Sequence, residues 1–253
     1  MDVKKWLRLA GASLVVSFCA KGFAFADKAI YKAGIKAKPY FFIRGGYGSA
    51  KTKWMGEVYS MKQPWNASIE IGFSWEERFC LGVEAGYLHV RTKEIEAKEN
   101  FNIVGVNSEI EGKGRATGWV GFGAINATYC QPIGENFFGY IGVGIGGGKV
   151  SSKLNARFLN ANGFIIPGGS MDVYYKCSDF SIFEQAFVGL GCRLAENCCL
   201  RIGYRCRYFN EDFTYKMKSL RVNNIDIYYN NAPDVDVEIK PIHSAEIGVH
   251  FVF

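Results

Sequence analysis

Residues 65–74 have the sequence WNASIEIGFS, in which apolar side chains alternate with small or polar ones. A repeat of two residues is that of a β-strand, because successive side chains of a strand point to opposite faces. One face of this segment would be apolar throughout, whereas the other would carry small or polar groups and the carboxylate of Glu70. Such a strand is typical of a transmembrane barrel, with its apolar face in lipid and its polar face in the interior.

The same alternation predicts seven further strands: 40–50, 79–91, 115–129, 138–149, 180–194, 198–209 and 242–253. In the segment that starts at Cys198, for example, Leu200 and Ile202 alternate with Arg201. The phase of segment 115–129 is ambiguous at its start and becomes clear only from Ile125 onward. Eight strands of this kind predict an all-β chain that closes into an antiparallel, up-and-down transmembrane β-barrel.

The predicted connections alternate in length along the chain. Short connections fall at 75–78, 131–136 and 195–197, and long ones fall at 51–64, 92–114, 150–179 and 210–240. Outer-membrane barrels have short periplasmic turns and long extracellular loops. A soluble sandwich has no reason to alternate in this way. We therefore expect four long extracellular loops that carry most of the mobile polar segments.

The start of the chain has the three parts of a secretory signal peptide. A basic beginning is followed by an apolar run from Leu9 to Ala20, and small residues stand at Ala24 and Ala26. The run is shorter than the roughly 20 residues that a membrane-spanning helix needs. We therefore expect cleavage after Ala26. The predicted organisation is a signal peptide at 1–26, a short periplasmic segment at 27–39 and an outer-membrane barrel at 40–253.

The composition gives no sign of a nucleic-acid-binding protein or of a helical membrane protein. The chain has 30 glycines, 6 prolines and 15% aromatic residues. Without the predicted signal peptide, 26 basic and 23 acidic residues remain, and this net charge of +3 gives no reason to expect nucleic-acid binding. No later segment is apolar for long enough to span a membrane as a helix. If the chain enters a membrane, a closed barrel satisfies its backbone hydrogen bonds there.

Seven cysteines follow the predicted cleavage site: Cys80, Cys130, Cys177, Cys192, Cys198, Cys199 and Cys206. Their odd number means that at least one cannot pair within the chain. Their spacing contains no CxxC pair and no pattern typical of zinc. Disulfides are one expectation, in an oxidising periplasm or at the cell surface, and small apolar fillers are the other. The sequence leaves this choice and the pairing open.

The strand assignment places eight charged side chains inside the barrel: Arg44, Glu70, Glu84, Arg193, Arg201, Arg205, Arg207 and Glu246. Eight strands enclose an interior just wide enough for side chains to fill. Charges in such a space must pair, because an unpaired buried charge is costly. We therefore expect an Arg–Glu network that plugs the lumen. The alternative is a narrow path that favours anions, since arginines outnumber glutamates.

The histidines are candidates for catalysis, but their neighbours do not suit that role. His243 and Ser244 are adjacent and point to opposite faces of a strand, whereas His250 lies four residues from Glu246. The glycines of 142–147 match a dinucleotide-binding pattern in letters only, since no helix follows them. We therefore expect no catalytic residue, no metal and no cofactor.

Aromatic residues gather near the predicted strand ends: Trp65, Trp75, Phe79, Tyr87, Trp119, Tyr129, Phe137, Phe138, Tyr208 and Phe253. In outer-membrane barrels such rings settle at the depth of the lipid headgroups. We expect these residues to form girdles around the outside of the barrel. In a soluble barrel they would be ordinary core residues.

Four stretches resemble the family of small outer-membrane barrels that includes opacity-type proteins and the OmpA and OmpX barrels: 43–48 (IRGGYG), 140–146 (YIGVGIG), 200–205 (LRIGYR) and 246–253 (EIGVHFVF). The resemblance implies export to the outer membrane of a Gram-negative cell. It also implies that the barrel assembly machinery reads the ending with Phe251 and Phe253. Family functions include adhesion, host-factor binding, structural support and modest solute passage, and the strands do not choose among them.

The sequence thus predicts a non-enzymatic surface protein of the outer membrane, with a largely plugged lumen and long loops for adhesion or partner binding. A narrow porin that passes small solutes is the alternative. A soluble, lipocalin-like carrier would need the reverse arrangement, with apolar side chains inside. The expected partners are outer-membrane lipid, the barrel assembly machinery and a host or surface ligand, without nucleic acid.

Overall fold

The computed structural model of the chain describes residues 37–253, apart from gaps at 55–56, 63, 77, 93–94, 104–105, 161–169, 211, 223–224 and 228–234. Within these residues, all regular secondary structure is β-strand. No helix in the described part of the chain is long and apolar enough to cross a membrane. The predicted signal peptide, with its cleavage residues Ala24 and Ala26, lies outside the described residues.

The described residues form 14 strands. In chain order these are β1 (Ala37–Ser49), β2 (Lys51–Trp54), β3 (Glu57–Ser60), β4 (Trp65–Trp75), β5 (Phe79–Arg91), β6 (Ile95–Ile103), β7 (Val106–Pro132), β8 (Phe137–Asn160), β9 (Ser170–Ala195), β10 (Cys198–Phe209), β11 (Phe213–Val222), β12 (Ile225–Ile227), β13 (Val235–Ile239) and β14 (Ile242–Val252).

A closed antiparallel ring is formed by eight of these strands, in the order β1, β4, β5, β7, β8, β9, β10 and β14. Closure occurs at β14, where Ile247 lies opposite Gly45 of β1 on one side and Ile202 of β10 on the other. Ring strands that are consecutive along the chain are neighbours in space. The predicted eight-stranded, up-and-down antiparallel barrel is confirmed.

One end of the barrel, the turn end, carries the short connections and both ends of the described chain. Backbone hydrogen bonds link them: the amide of Phe253 donates to Pro39 at 2.9 Å, and that of Val252 donates to Asn197 at 3.0 Å. These bonds satisfy backbone groups that the end of a strand would otherwise leave open. At the turn end, the two ends of the described chain and a short turn are therefore joined by backbone hydrogen bonds.

The opposite end, the extended end, continues past the ring. The longest strands, β7, β8 and β9, have 27, 24 and 26 residues, and β6, β11 and β12 pair alongside them. Strands β13, β2 and β3 extend the sheet at this end, where β13 pairs with β11, β2 with β13 and β3 with β2. The long connections predicted at 92–114 and 150–179 are thus largely hairpin arms rather than open loops. Pairing satisfies backbone groups that an open loop would leave to water.

Apolar side chains cover the outside of the ring, whereas charged side chains lie inside it. Ile69, Val83 and Ile202 are each about half exposed, at 47%, 47% and 56%. Glu84 and Arg205 are 0% and 1% exposed. This is the reverse of a protein that folds in water, and it is the arrangement of a barrel surrounded by lipid. A soluble, lipocalin-like carrier would have a polar exterior, so the apolar exterior does not fit that alternative.

The lumen toward the extended end has an apolar layer, which the sequence did not predict. Phe183 packs against Phe122 and Phe209, with ring centroids 5.6 and 5.5 Å apart. Val120 and Phe122 of β7 both point inward and are buried. They make the inner face of this strand apolar, and so explain why the phase of segment 115–129 was ambiguous at its start.

Aromatic rings stack on the outside of the barrel near the extended end. The centroids of Trp65 and Tyr87 are 5.5 Å apart, and those of Tyr87 and Trp119 are 6.0 Å apart. The prediction of an outer position is wrong for Phe138, whose ring faces the lumen 5.4 Å from the guanidinium carbon of Arg201. Phe138 shares the inward parity of Tyr140, and alternation along β8 therefore decides its direction.

Candidate functional site

A network of charged and amide side chains crosses the lumen between the apolar layer and the turn end. Seven of the eight ring strands contribute to this lumen network: Arg44 (β1), Glu70 (β4), Glu84 (β5), Asn126 (β7), Gln185 (β9), Arg205 and Arg207 (β10) and Glu246 (β14). All eight side chains are buried. Because eight strands enclose little space, side chains from opposite walls reach one another directly.

Arg44 joins two carboxylates on neighbouring strands. Its Nη2 lies 2.7 Å from Glu70 Oε2 and 2.6 Å from Glu84 Oε2. Its Nε donates to Ser68 Oγ at 3.0 Å. Charge-assisted hydrogen bonds of this length are among the strongest polar contacts in proteins. Arg44 therefore holds the first three ring strands together from the inside.

Two arginines of β10 approach from the opposite wall. Arg205 places Nη1 2.9 Å from Glu84 Oε2 and Nε 2.9 Å from Glu246 Oε2. Arg207 reaches the same two carboxylates at longer distances, 3.5 and 3.6 Å. Glu84 is thus shared by three guanidinium groups. This sharing supplies the counter-charge that a fully buried carboxylate requires.

Two amide side chains complete the network, although sequence reasoning did not single them out. Asn126 Nδ2 donates to Glu70 Oε2 at 2.6 Å and to Glu84 Oε2 at 2.8 Å. Gln185 Nε2 donates to Asn126 Oδ1 at 2.6 Å, and its own carbonyl oxygen accepts from Arg205 at 2.8 Å. Both residues have inward parity in their strands, and that parity is the signal that could have found them.

Glycines make room for this network. A Cβ on Gly144 of β8 would collide with Oδ1 of Asn126, and a Cβ on Gly82 of β5 would collide with the hydroxyl of Tyr40. That hydroxyl donates to Glu70 Oε1 at 2.5 Å. Glycine within a strand usually marks such a close approach of other groups. The inward glycines of β8 therefore explain why this strand alone gives no side chain to the network.

The lumen network is balanced in charge, with three arginines and three glutamates. The excess of arginine expected for an anion path is absent from it, because two predicted members lie elsewhere. Arg193 is exposed at the rim of the turn end. Arg201 is buried nearer that end, where its Nη2 lies 3.1 Å from His250 Nδ1 and 3.7 Å from Cys130 Sγ. The structure thus brings six of the predicted charges together and separates these two.

The histidines do not assemble a hydrolytic site with the described residues around them. His89 stacks on Trp65 with centroids 5.7 Å apart, and His243 contacts the hydroxyl of Tyr204 on the outer surface. His250 points into the lumen beside Arg201. No group of three His, Cys, Asp or Glu among the described residues could hold a metal ion.

The structure also describes the positions of the two terminal phenylalanines and of the seven cysteines. Phe251 and Phe253 lie at the turn end, where Phe253 is 71% exposed. None of the seven cysteines in the described residues forms a disulfide, and Cys80, Cys130, Cys177 and Cys199 among them are buried.

An apolar belt around a closed ring, with charges paired inside, requires lipid rather than water as its surroundings. The architecture is that of the small outer-membrane β-barrels. No protein-family model matches the chain, and no curated protein matches its sequence. The similar solved structures include several outer-membrane barrels.

Three of these outer-membrane barrels resemble the chain in fold alone. Neisserial surface protein A is 14% identical, with 84% of this chain and 97% of that chain covered and a TM-score of 0.39. The outer-membrane protease OmpT of Escherichia coli is 14% identical over 85% of this chain and 97% of its own, with a TM-score of 0.44. OprG of Pseudomonas aeruginosa is 16% identical, with 85% of this chain and 95% of that chain covered and a TM-score of 0.40.

Proposed function

We propose that the protein is a non-enzymatic barrel of the outer membrane, with a closed lumen and an extended end that projects from the cell surface to bind a partner. The observation that carries this proposal is the lumen network, in which side chains from seven strands meet. A filled interior leaves the outer surface of the extended end for function, as is common for segments on a rigid scaffold. The positions of the three histidines favour no catalytic role.

Two features of the interior support a closed lumen over a narrow porin. Ions that cross the lumen network would have to break charge-assisted hydrogen bonds of 2.6–2.9 Å. Beyond it, the packed rings of Phe122, Phe183 and Phe209 present an apolar constriction, which excludes ions by dewetting. The two barriers lie in series, so a solute would need to pass both.

Planar-bilayer recording of the refolded chain tests the closed lumen. We expect no steady open channels. The variant Phe122→Ala/Phe183→Ala removes two of the three packed rings and leaves the charges in place, and it should stay closed because the lumen network remains. Steady channels in the unaltered protein would contradict a closed lumen and would favour the narrow porin.

The extended end carries a feature that favours a polyanionic partner. Lys176 of β9 lies directly opposite Lys153 of β8 and Lys216 of β11, and all three side chains are exposed. We call these residues the lysine row. Residues opposite one another in an antiparallel pair have Cβ atoms about 4.5–5.5 Å apart, and like charges at that distance repel. A ligand with closely spaced negative charges would relieve this repulsion.

The described carboxylates do not neutralise the lysine row. The ion pairs described at this end join Arg157 to Asp172 and Lys240 to Glu238. Neither pair includes a member of the row. Exposed charges of one sign in a row raise the rate at which a polyanion is captured, and they make its binding dependent on salt.

Binding to heparin, a sulfated polysaccharide, tests the lysine row. We expect the refolded protein to bind, and Lys153→Gln/Lys176→Gln/Lys216→Gln to bind about tenfold more weakly, since each exposed charge contributes roughly 0.5 kcal/mol. The matched control is Lys51→Gln/Lys53→Gln/Lys62→Gln, which removes three exposed lysines elsewhere. Equal losses in the two variants would mean non-specific attraction and would contradict the assignment.

A further inference from the structure

A cavity of about 550 Å³ opens at the turn end of the barrel. Its rim is formed by the short turns, and its inner wall includes Cys80, Cys130, Phe138, Cys199, Arg201 and His250. We call it the turn-end cavity. It lies at the opposite end of the barrel from the lysine row, so the proposed function makes no use of it.

Arg201 is a buried cation in this wall that forms no ion pair with a described carboxylate, although Glu70 lines a small neighbouring cavity with it. Its side chain is 6% exposed, and its polar contacts among the described residues are Cys130 Sγ, His250 Nδ1 and the thiol of Cys80. The guanidinium carbon is 5.3–5.4 Å from the ring centroids of Phe42, Phe138 and Tyr140. These rings stabilise the cation, but they do not neutralise its charge.

Two N–H groups of this wall also lack an acceptor. Nε of Arg201 is buried and has no hydrogen-bond partner among the described residues. His250 Nδ1 faces the guanidinium and must accept from it, so the proton of the neutral ring is on Nε2, which is likewise buried and without a described partner. Buried donors without an acceptor are rare in native proteins, and each needs an explanation, such as an ordered water or a bound ion.

The arginines of the lumen network, unlike Arg201, have carboxylates as partners. There, Arg44 and Arg205 each contact two carboxylates within 3 Å. Arg201 is buried to a similar degree, and yet its polar contacts are weak sulfur acceptors and a neutral imidazole rather than carboxylates. An unpaired buried charge is strongly destabilising unless another group supplies the opposite charge.

We propose that the turn-end cavity is a binding site for a small oxyanion, a carboxylate or a phosphate, that pairs with Arg201 and accepts from His250 Nε2. A guanidinium group presents a planar fork of donors that fits such anions. Phe138 and the thiols give part of the inner wall an apolar surface, and an organic anion with a small apolar body would contact that part as well as Arg201. The ligand enters from the turn end, which faces the periplasm.

The test uses the full refolded chain in detergent, with its cysteines kept reduced. Benzoate and inorganic phosphate are titrated separately, and the imidazole signals of ¹⁵N-histidine-labelled protein are followed by NMR. We expect a saturable shift of the His250 signal with at least one probe, tighter for benzoate, and a rise in the unfolding temperature with ligand concentration. If no probe gives a saturable shift, the proposal is wrong.

Variants separate binding at Arg201 from weak binding at the rim. Arg201→Gln should weaken binding about tenfold or more, whereas Arg157→Gln, which removes an exposed arginine at the other end, should leave it unchanged. His250→Phe keeps the ring that packs beside Tyr40 and Phe42 but removes the donor, so binding should weaken several-fold. It serves as the second variant if Arg201→Gln does not fold. Unchanged affinity in a folded variant of either residue would overturn the proposal.

A thiolate is the competing source of negative charge, because Cys80 and Cys130 line the same wall. The double variant Cys80→Ser/Cys130→Ser distinguishes the two cases. If an oxyanion is the ligand, this variant binds benzoate or phosphate as the unaltered protein does. Binding that appears only in the double variant would identify a thiolate as the resident counter-charge and would contradict the proposal.

Discussion

At the scale of single residues, the interior depends on how each carboxylate is shared among several cations. Glu84 is completely buried, and Arg44, Arg205 and Arg207 all contact it. A carboxylate in such a place is ionised only because these partners and two amides replace the water that it has lost. The network therefore acts as a unit, and its single members are not interchangeable.

The substitution Glu84→Gln should destabilise the barrel by about 3–5 kcal/mol, because it leaves the neighbouring arginines with one carboxylate too few. The matched control is Glu238→Gln, whose partner Lys240 is partly exposed at the extended end, and it should leave stability nearly unchanged because water screens an exposed pair. Urea unfolding of the two variants in detergent measures both values. A loss below about 1 kcal/mol for Glu84→Gln would show that the network is not a unit.

A second residue-scale prediction concerns the space beside the network. Gly144→Ala should destabilise the barrel by about 1–3 kcal/mol, because its new Cβ would overlap Asn126 and force the amide away from Glu84. Gly123→Ala is the control, since its Cβ would meet nothing closer than 3.7 Å. Equal thermal unfolding midpoints in the two variants would argue against tight packing in the lumen.

At the scale of strands, the alternation of side chains lets one strand contact lipid with one face and the charged lumen with the other. In β5, Val83 faces outward midway between Phe79 and Tyr87, whereas Glu84 faces the lumen network. The aromatic residues mark the two edges of the apolar belt, so Val83 lies near its centre. A single residue of displacement along this strand would place a carboxylate in lipid.

The substitution Val83→Arg should destabilise the folded barrel in lipid by about 2–4 kcal/mol, which is the cost of a basic residue at the middle of a bilayer. Val58→Arg is its control, because Val58 is also about half exposed but belongs to β3 at the extended end. Refolding into vesicles over a urea series measures both. Similar costs at the two positions would contradict the assignment of the belt to lipid.

At the scale of the whole molecule, the barrel closes only when the last strand joins the first. β14 pairs with β1 and with β10, so the ring has no open edge once it is in place. Phe253 follows this strand and is largely exposed. Its side chain therefore contributes little to the finished fold, and its predicted role as an assembly signal stays a prediction.

Phe253→Ala should lower the amount of protein assembled in the outer membrane of cells, because the proposed assembly signal is lost. In vitro refolding into detergent should be nearly unchanged, with a stability loss below about 1 kcal/mol for an exposed side chain. Cell fractionation and the faster gel migration of unheated, folded barrel provide the two measurements. An equal defect in both would indicate a structural role for Phe253 instead.

The alternation along the chain was enough to predict the eight ring strands, their faces and their antiparallel order, because a period of two residues is a local property of the sequence. It also placed Asn126 and Gln185 inward, but their part in the network was missed because neither is charged. The direction of Phe138 follows from the same rule, and the wrong prediction came from treating all aromatic residues near strand ends as one class.

The sequence by itself determined which side chains face lipid and which face the interior, since that depends only on odd and even positions within a strand. The tertiary structure decided which inward residues meet, because the height of each residue in the lumen depends on the tilt of the strands and the stagger of their pairing. That stagger brings Glu84 to Arg205 and leaves Arg201, four residues away in the same strand, alone beside the turn-end cavity. It also aligns Phe122, Phe183 and Phe209 of three strands in one layer and the charges of the lumen network in another.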